Sequence, residues 1–361
     1  MIRRISSLSL CLPAFFALIL FGIAVKAAYA ALVKPSLSFK VIRMSISPVI
    51  DRSNPDAHDN KYGFEDGMAV KIHGVYHLIV DEMAGDPMWV RMRIAHWTST
   101  DAIHWNRVST LKETSGKPRS ETGLPYESLW GSNVVFDKKT DRWNMFYVGY
   151  EHGGATGGRI WRSVSESCGI EGIGGPYKDI GIILQPDANS QSWEGDQGTD
   201  SFFPYQVGKR WLAFYGSHDS SRYVWQVGLA EAPSLAGPWH RLSTGNPLPI
   251  EPIMIENPIV TRIGKFYVEV HDMDVIGPNF ARDAHNVGYS VSTDGLHWSQ
   301  AGRIEVQPPG PANWSRCMRT PLGLIPEGHD EFTLLYTGEI KKGGYFAVGM
   351  VRLKMIKEEK K

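Results

Sequence analysis

Three acidic residues far apart in the chain share one spacing. Asp66, Asp200 and Glu256 each stand eight residues before a glycine (Gly74, Gly208, Gly264), and each glycine leads into an aromatic strand: GVYHL, GKRWL and GKFYV. Carboxylates gathered in one place push at least one proton affinity up. A raised affinity suits a general acid, and an ionised neighbour can activate water or attack a carbon centre. Two such groups flanking a glycosidic bond are the parts needed for glycoside hydrolysis. One Asp at a strand start reads more simply as a turn cap. Three at a matched offset point to a shared pocket.

The same slot in two further repeats holds Gly131-Ser132, preceded by Trp130, and Arg319 in Arg319-Thr320-Pro321. A small residue leaves room for a substrate. An arginine can bond a sugar hydroxyl or hold a carboxylate ionised. Trp130 can stack on a sugar ring, with core packing as the alternative. His271, in VEVHDMD, is a second acid candidate or a turn-bonded histidine. Glu65 should face away from Asp66 on a strand. Glu194 and Asp196, in WEGDQGTD, replace Asp200 if the register slips.

The elements that would position these residues are strands. Short runs rich in Val, Ile, Tyr, Phe and Trp alternate with Gly, Asp, Asn and Pro turns, and no long helical periodicity competes. Unit ends recur as Ser99-Thr100-Asp101-Ala102-Ile103-His104-Trp105, Gly174-Gly175-Pro176-Tyr177, Gly237-Pro238-Trp239 and Ser292-Thr293-Asp294-Gly295-Leu296-His297-Trp298. With a last unit ending at FAVGMVRLKMI, this gives five repeats, each long enough for four strands. Radial repetition of such sheets is an all-β, five-bladed β-propeller. A β-sandwich is the rival, but it requires no repeat of this length. The segment LSFKVIRMSI (37–46) is expected to complete the last blade and close the ring. Starts of the innermost strands then converge at one mouth. The Lys112–Leu129 and Asp272–Asn286 loops are its expected walls.

Composition narrows the partner. The chain has 361 residues, 42% hydrophobic, with 38 basic and 38 acidic residues. No basic run is interleaved with aromatics, which excludes nucleic acid. The 12 Trp and 14 Tyr suit a carbohydrate partner. Arg3, Arg4, an apolar run from Leu8 to Val25 and Ala28-Tyr29-Ala30 read as a signal peptide over 1–30, with no stable membrane insertion after cleavage. The mature domain, 31–361, would be periplasmic or secreted, with 35 basic and 38 acidic residues once Arg3, Arg4 and Lys26 are gone. Cys168 and Cys317 can pair there or stay free. No zinc spacing occurs, no cofactor is required, and a structural cation in the central channel is compatible with the acids. Asn313-Trp314-Ser315 is a sequon expected to be silent.

The acids, the Gly-Lys-aromatic-Tyr strands and the Ser-x-Asp-Gly-x-x-Trp and Gly-Pro-Trp unit ends together resemble glycoside hydrolase family 43. The resemblance extends to its relatives among invertases and levansucrases, anhydrogalactosidases and mannoside phosphorylases. It covers nearly the whole mature chain. It implies a glycoside hydrolase of plant or algal poly- or oligosaccharides, inverting by single displacement. Asp66 would be the general base, Asp200 would orient the acid and tune its pKa, and Glu256, in Glu256-Asn257-Pro258, would be the general acid. In the anhydrogalactosidase relatives a histidine can be the acid, which would be His271 here. The chain departs from the pattern at Asp66-Gly67 and Asp200-Ser201, where the family has Asp-Pro. It also lacks the Asn-Asp-Pro-Asn-Gly and Arg-Asp-Pro of invertases. Two alternatives stand beside this reading: a glycan-binding propeller without catalysis, and a phosphorylase with Arg319 in a phosphate pocket.

Overall fold

The computed structural model describes residues 37–57, 60–252, 254–273, 286–306, 314–315, 317–339 (backbone only for 317–319) and 345–357. The leader, Asn313 and residues 274–285 of the second expected wall lie outside the described residues, as do the side chains of Cys317 and Arg319. Residues 35–361 group into one compact unit.

Five four-stranded antiparallel sheets make up this unit. Blade one holds β2 (Phe64–Ile72), β3 (Val75–Gly85), β4 (Arg91–Ser99) and β5 (Asn106–Glu113). Blade two holds β6 (Ser128–Asp137), β7 (Arg142–His152), β8 (Thr156–Ser165) and β9 (Tyr177–Leu184). Blade three holds β10 (Asp200–Val207), β11 (Arg210–Asp219), β12 (Val224–Ala232) and β13 (His240–Arg241). Blade four holds β14 (Glu256–Ile263), β15 (Phe266–Asp272), β16 (Asn286–Ser292) and β17 (Gly302–Glu305). Blade five holds β18 (Cys317–Gly328), β19 (Glu331–Glu339) and β20 (Phe346–Lys357). Its fourth strand is β1 (Leu37–Met44), which pairs with β20 as the 37–46 segment predicted. First strands contact one another around the ring, β2 with β6 and β18, β10 with β6 and β14, and β14 with β18.

Hydrophobic content sorts the strands by layer. The aromatic second strands are buried almost throughout, with Tyr76, Tyr147, Tyr215 and Tyr336 at 2% exposure or less. Outer strand β5 (NRVSTLKE) has no buried residue and alternates exposed with half-buried positions. Blades one and five meet where Gly63 bridges Phe346; a Cβ on Gly63 would stand 1.8 Å from the Phe346 carbonyl oxygen, so only glycine fits.

The recurring motifs expected to close each unit instead lie before its fourth strand, and those of blades one and four are side-chain-capped turns. Asp101 Oδ1 accepts the N–H groups of Ile103 and His104, and its Oδ2 pairs with His104 Nδ1 at 2.8 Å. Asp294 does the same with Leu296 and His297. Trp105 and Trp298 then enter the core. The His104 amide and ring hold Asp101 well below the usual carboxylate range. A folded-state affinity below the unfolded one contributes stability at neutral pH that is lost as pH falls through about 4 and below. Asp101→Ala is expected to cost about 0.5–1.5 kcal/mol at pH 7. The loss should shrink at pH 3, as measured by denaturant titration at both pH values.

Candidate active site

Each first strand begins with a bulge. The ladder slips between Glu65 and Gly67, Trp130 and Asn133, Asp200 and Phe203, and Glu256 and Ile259. One residue in each bulge turns left-handed: Asp66 (φ 49°), Gly131 (φ 62°), Ser201 (φ 50°) and Asn257 (φ 51°). Such angles are uncommon outside glycine, and bulges re-aim side chains at functional sites. The shared sequence offset therefore hides a one-residue difference. Asp66 is itself the bulge residue, whereas Asp200 and Glu256 immediately precede theirs. The place equivalent to Asp200 and Glu256 is held in blade one by Glu65 and in blade two by Trp130. The cause is the following turn: blade one turns through His73-Gly74, while blades three and four turn with the glycine first, Gly208-Lys209 and Gly264-Lys265.

The bulges nevertheless bring the three acids together. Burial pushes the Asp66 carboxyl well above the usual carboxylate range, and the charges of Glu65, Asp81, Glu256 and Asp200 push the same way. Asn257 Nδ2 donates to Asp66 Oδ1 at 2.7 Å, so the residue after Glu256 reaches across the axis to the acid of blade one. Asp66 and Glu256 keep some solvent contact. Asp200 is buried and held from three sides. Tyr150 Oη donates to its Oδ2 at 2.6 Å, Gln197 Nε2 to the same oxygen at 2.8 Å, and the Ser201 N–H to Oδ1 at 2.6 Å. Burial pushes Asp200 up, and the Tyr150 and Ser201 bonds only partly offset it. The Tyr150 hydroxyl is pushed well up by burial and by the charges of Asp200, Glu256 and Asp66. Protons on these carboxyls therefore belong to the group and not to any single residue.

Glu65 is buried and close enough to raise the proton affinity of Asp66, although strand alternation alone predicts that it faces away. The register alternatives sit elsewhere. Glu194 is locked to Arg241 Nε at 2.6 Å and accepts the Tyr215 hydroxyl, and Asp196 accepts from Ser220. His271 has no exposed surface, and its Nδ1 lies 2.9 Å from Glu269 Oε1. Burial draws its proton affinity down, but Glu269 and Glu251 outweigh this and push it up to about 9. The Arg319 backbone pairs with Gly338, beside the Thr320–Thr337 pair that takes the place of the acid slot in blade five. Among the described residues no group of three or more His, Cys, Asp or Glu is arranged to hold a metal ion. Cys168 is an exposed free thiol.

Trp130 is 5% exposed, and its indole N–H donates to the Trp89 carbonyl at 2.9 Å. The open aromatic face belongs to Trp89, which is 37% exposed and left-handed (φ 72°). Its ring lies 5.3 Å from Trp130 and 5.8 Å from Phe346. Gly154 makes room for it, since a Cβ there would come within 2.7 Å of the Trp89 Cβ. Trp89 lies in the β3–β4 connection, at the same end as the start of β2. Sequence reasoning passed it over because DPMW reads as an ordinary loop. Its one signal was an aromatic after Asp86-Pro87.

A groove of about 550 Å³ lies at the outer edge, between β9 and β13, lined by Gln185, Asn189, Trp239 and Arg241 among others. None of the clustered acids lines it.

No known family profile matches the sequence, and no curated protein matches it. Solved structures do match its fold. A family 117 glycoside hydrolase of the marine bacterium Zobellia galactanivorans superposes with a TM-score of 0.61 at 15% identity, over 89% of this chain and 92% of that one. The α-L-arabinofuranosidase of Podospora anserina, solved with cellotriose, gives 0.59 at 12% identity over 89% and 98%. A family 43 enzyme of Xanthomonas citri, solved with xylose, gives 0.55 at 11% over 86% and 90%. The chain thus has the five-bladed β-propeller fold shared by these glycoside hydrolases, and its acid cluster stands where the innermost strands begin.

Proposed function

We propose that this protein is a secreted or periplasmic glycoside hydrolase acting on plant or algal poly- or oligosaccharides. The observation that carries the reading is the convergence of Asp66, Asp200 and Glu256 from three blades into one group of interacting carboxyls. Their settings suit different roles. Asp66 and Glu256 touch solvent and can reach a substrate. Asp200 is enclosed and fixed by Tyr150 and Gln197, which suits a residue that orients and tunes its neighbours. In this reading Glu256 protonates the leaving oxygen while Asp66 takes a proton from water attacking the anomeric carbon, with inversion. A base must be ionised; the Asn257 bond favours that form of Asp66, against the burial that raises its proton affinity.

The test is product release from arabinan, xylan, agar and mannan fragments, with and without phosphate, against a Glu256→Gln control. Release from one substrate that the control lacks supports hydrolysis. Release only with phosphate makes the protein a phosphorylase, and binding with no release makes it a glycan-binding propeller. Trp89 is the sugar platform in this reading. Trp89→Ala should raise KM about tenfold, the scale of one lost aromatic contact, with little change in kcat. Initial rates on the cleaved substrate check this.

A further inference from the structure

Asp81 lies on β3 opposite Glu65 and has no exposed surface. Its contacts cross into the next blade. Ser132 Oγ donates to Asp81 Oδ1 at 2.6 Å, and the Gly131 and Ser132 N–H groups also donate to the carboxyl. Those residues form the blade-two bulge beside the cluster: a Cβ on Gly131 would stand 3.8 Å from Asp200 Oδ1. The same device recurs once more. Asp272, opposite Glu256, accepts the Thr320 hydroxyl of blade five at 3.2 Å. Opposite Asp200 and Trp130 the position is Gly216 and Val148.

We propose that Asp81 is a positioning residue of this site, clamping the Gly131-Ser132 wall of blade two beside Asp200 and tying that wall to the charge of the acid cluster. The inference rests on the glycosidase reading only for its effect on turnover. Three donors on one carboxyl favour its ionised form. Burial opposes them, the charge of Asp200 adds to burial, and the balance lies at about 7. The other carboxyl oxygen, Oδ2, is buried without a partner among the described residues, which leaves it free to carry the proton. The groups facing Asp81 are Glu65 and Asp66 from β2, Asp200 from β10 and the Ser132 hydroxyl from β6; across the ladder on β4 it meets apolar Ile94. Below about pH 7 Asp81 thus holds the wall while adding little negative charge. Above that pH its charge strengthens proton binding by Asp66 and Asp200.

The test is carboxyl ¹³C NMR of protein labelled at aspartate, titrated from pH 4 to 9, with Asp66→Asn, Asp81→Asn and Asp200→Asn for assignment. Asp81 is expected to titrate near 7. Asp81→Asn should lower the midpoint of Asp66 or Asp200 by about half a pH unit or more. Ser132→Ala should raise the Asp81 midpoint, because it removes a donor to the ionised form. On whichever fragment is cleaved, Asp81→Asn should move the alkaline limb of kcat to lower pH, which a merely structural residue would not do. Asp81 ionised throughout, or midpoints unmoved in Asp81→Asn and Ser132→Ala, overturns the proposal. The titration needs no substrate, so a wild type that cleaves nothing sinks the glycosidase reading alone.

Discussion

Glu256→Gln and Asp66→Asn are each expected to lower turnover by about 10²–10⁴-fold, the usual contribution of a positioned general acid or base. Both amides are near-isosteric with the acids they replace, and both positions keep solvent contact, so the fold should survive. Each change also removes charge from a crowded group. Burial and neighbouring acids raise the proton affinity of Asp66, so ionising it in the folded state costs stability as pH rises above the usual carboxylate range. Asp66→Asn is therefore expected to be inactive yet more stable than the parent at pH 7 and above, with the gain vanishing at pH 4. Product chromatography and thermal melts on the same samples read both effects. Activity retained in both variants would falsify the assignment.

Asp200→Asn should behave differently. Asp200 is enclosed, and its part is to set the proton affinity of its neighbours. Removing its charge should shift the alkaline limb of kcat to lower pH.

The largest stability loss is expected from Glu82→Ala. Glu82 is fully buried in blade one and accepts from Arg93 Nε, Arg107 Nε and Trp97 Nε1, each at 3.0 Å. The two arginine side chains are 12% and 7% exposed, so truncating Glu82 removes a carboxylate that both enclosed cations share. Breaking a buried ion pair from one side costs about 3–5 kcal/mol. In a domain of this size that lowers Tm on the order of 5–15 °C. A calorimetric scan checks it, and a shift under about 2 °C would show that water reaches the arginines. Glu82→Gln should lose less, because its amide oxygen can still accept one donor. The blade-one pair Lys61 with Asp86 is solvent-exposed on both sides, and its removal should leave Tm almost unchanged.

The propeller is legible from the chain alone. A repeat of turn, aromatic strand and small-residue turn motif recurs often enough to require five sheets. The leftover polar-apolar alternation of 37–46 could only complete the fifth, and β1 does pair with β20. Local rules suffice for this, because strand period and turn chemistry act over a few residues. The acids were legible for the same reason, as they sit at a fixed distance from a turn.

Which way each acid faces depends on how the folded ladders pair. A left-handed bulge at Asp66, set beside a turn that reads His-Gly instead of Gly-Lys, moves that acid one ladder place from Asp200 and Glu256. A register shift leaves no mark in spacing, and one residue flips a side chain across the sheet. Burial separates the two tryptophans near the mouth in a way that spacing does not show. Trp130 and Trp89 are equally aromatic in sequence, but Trp89 packs over Trp130 and leaves one covered and the other open. Asp81 was invisible in the sequence because its partners, Gly131 and Ser132, lie some fifty residues away, and only closure of the ring brings the two blades together.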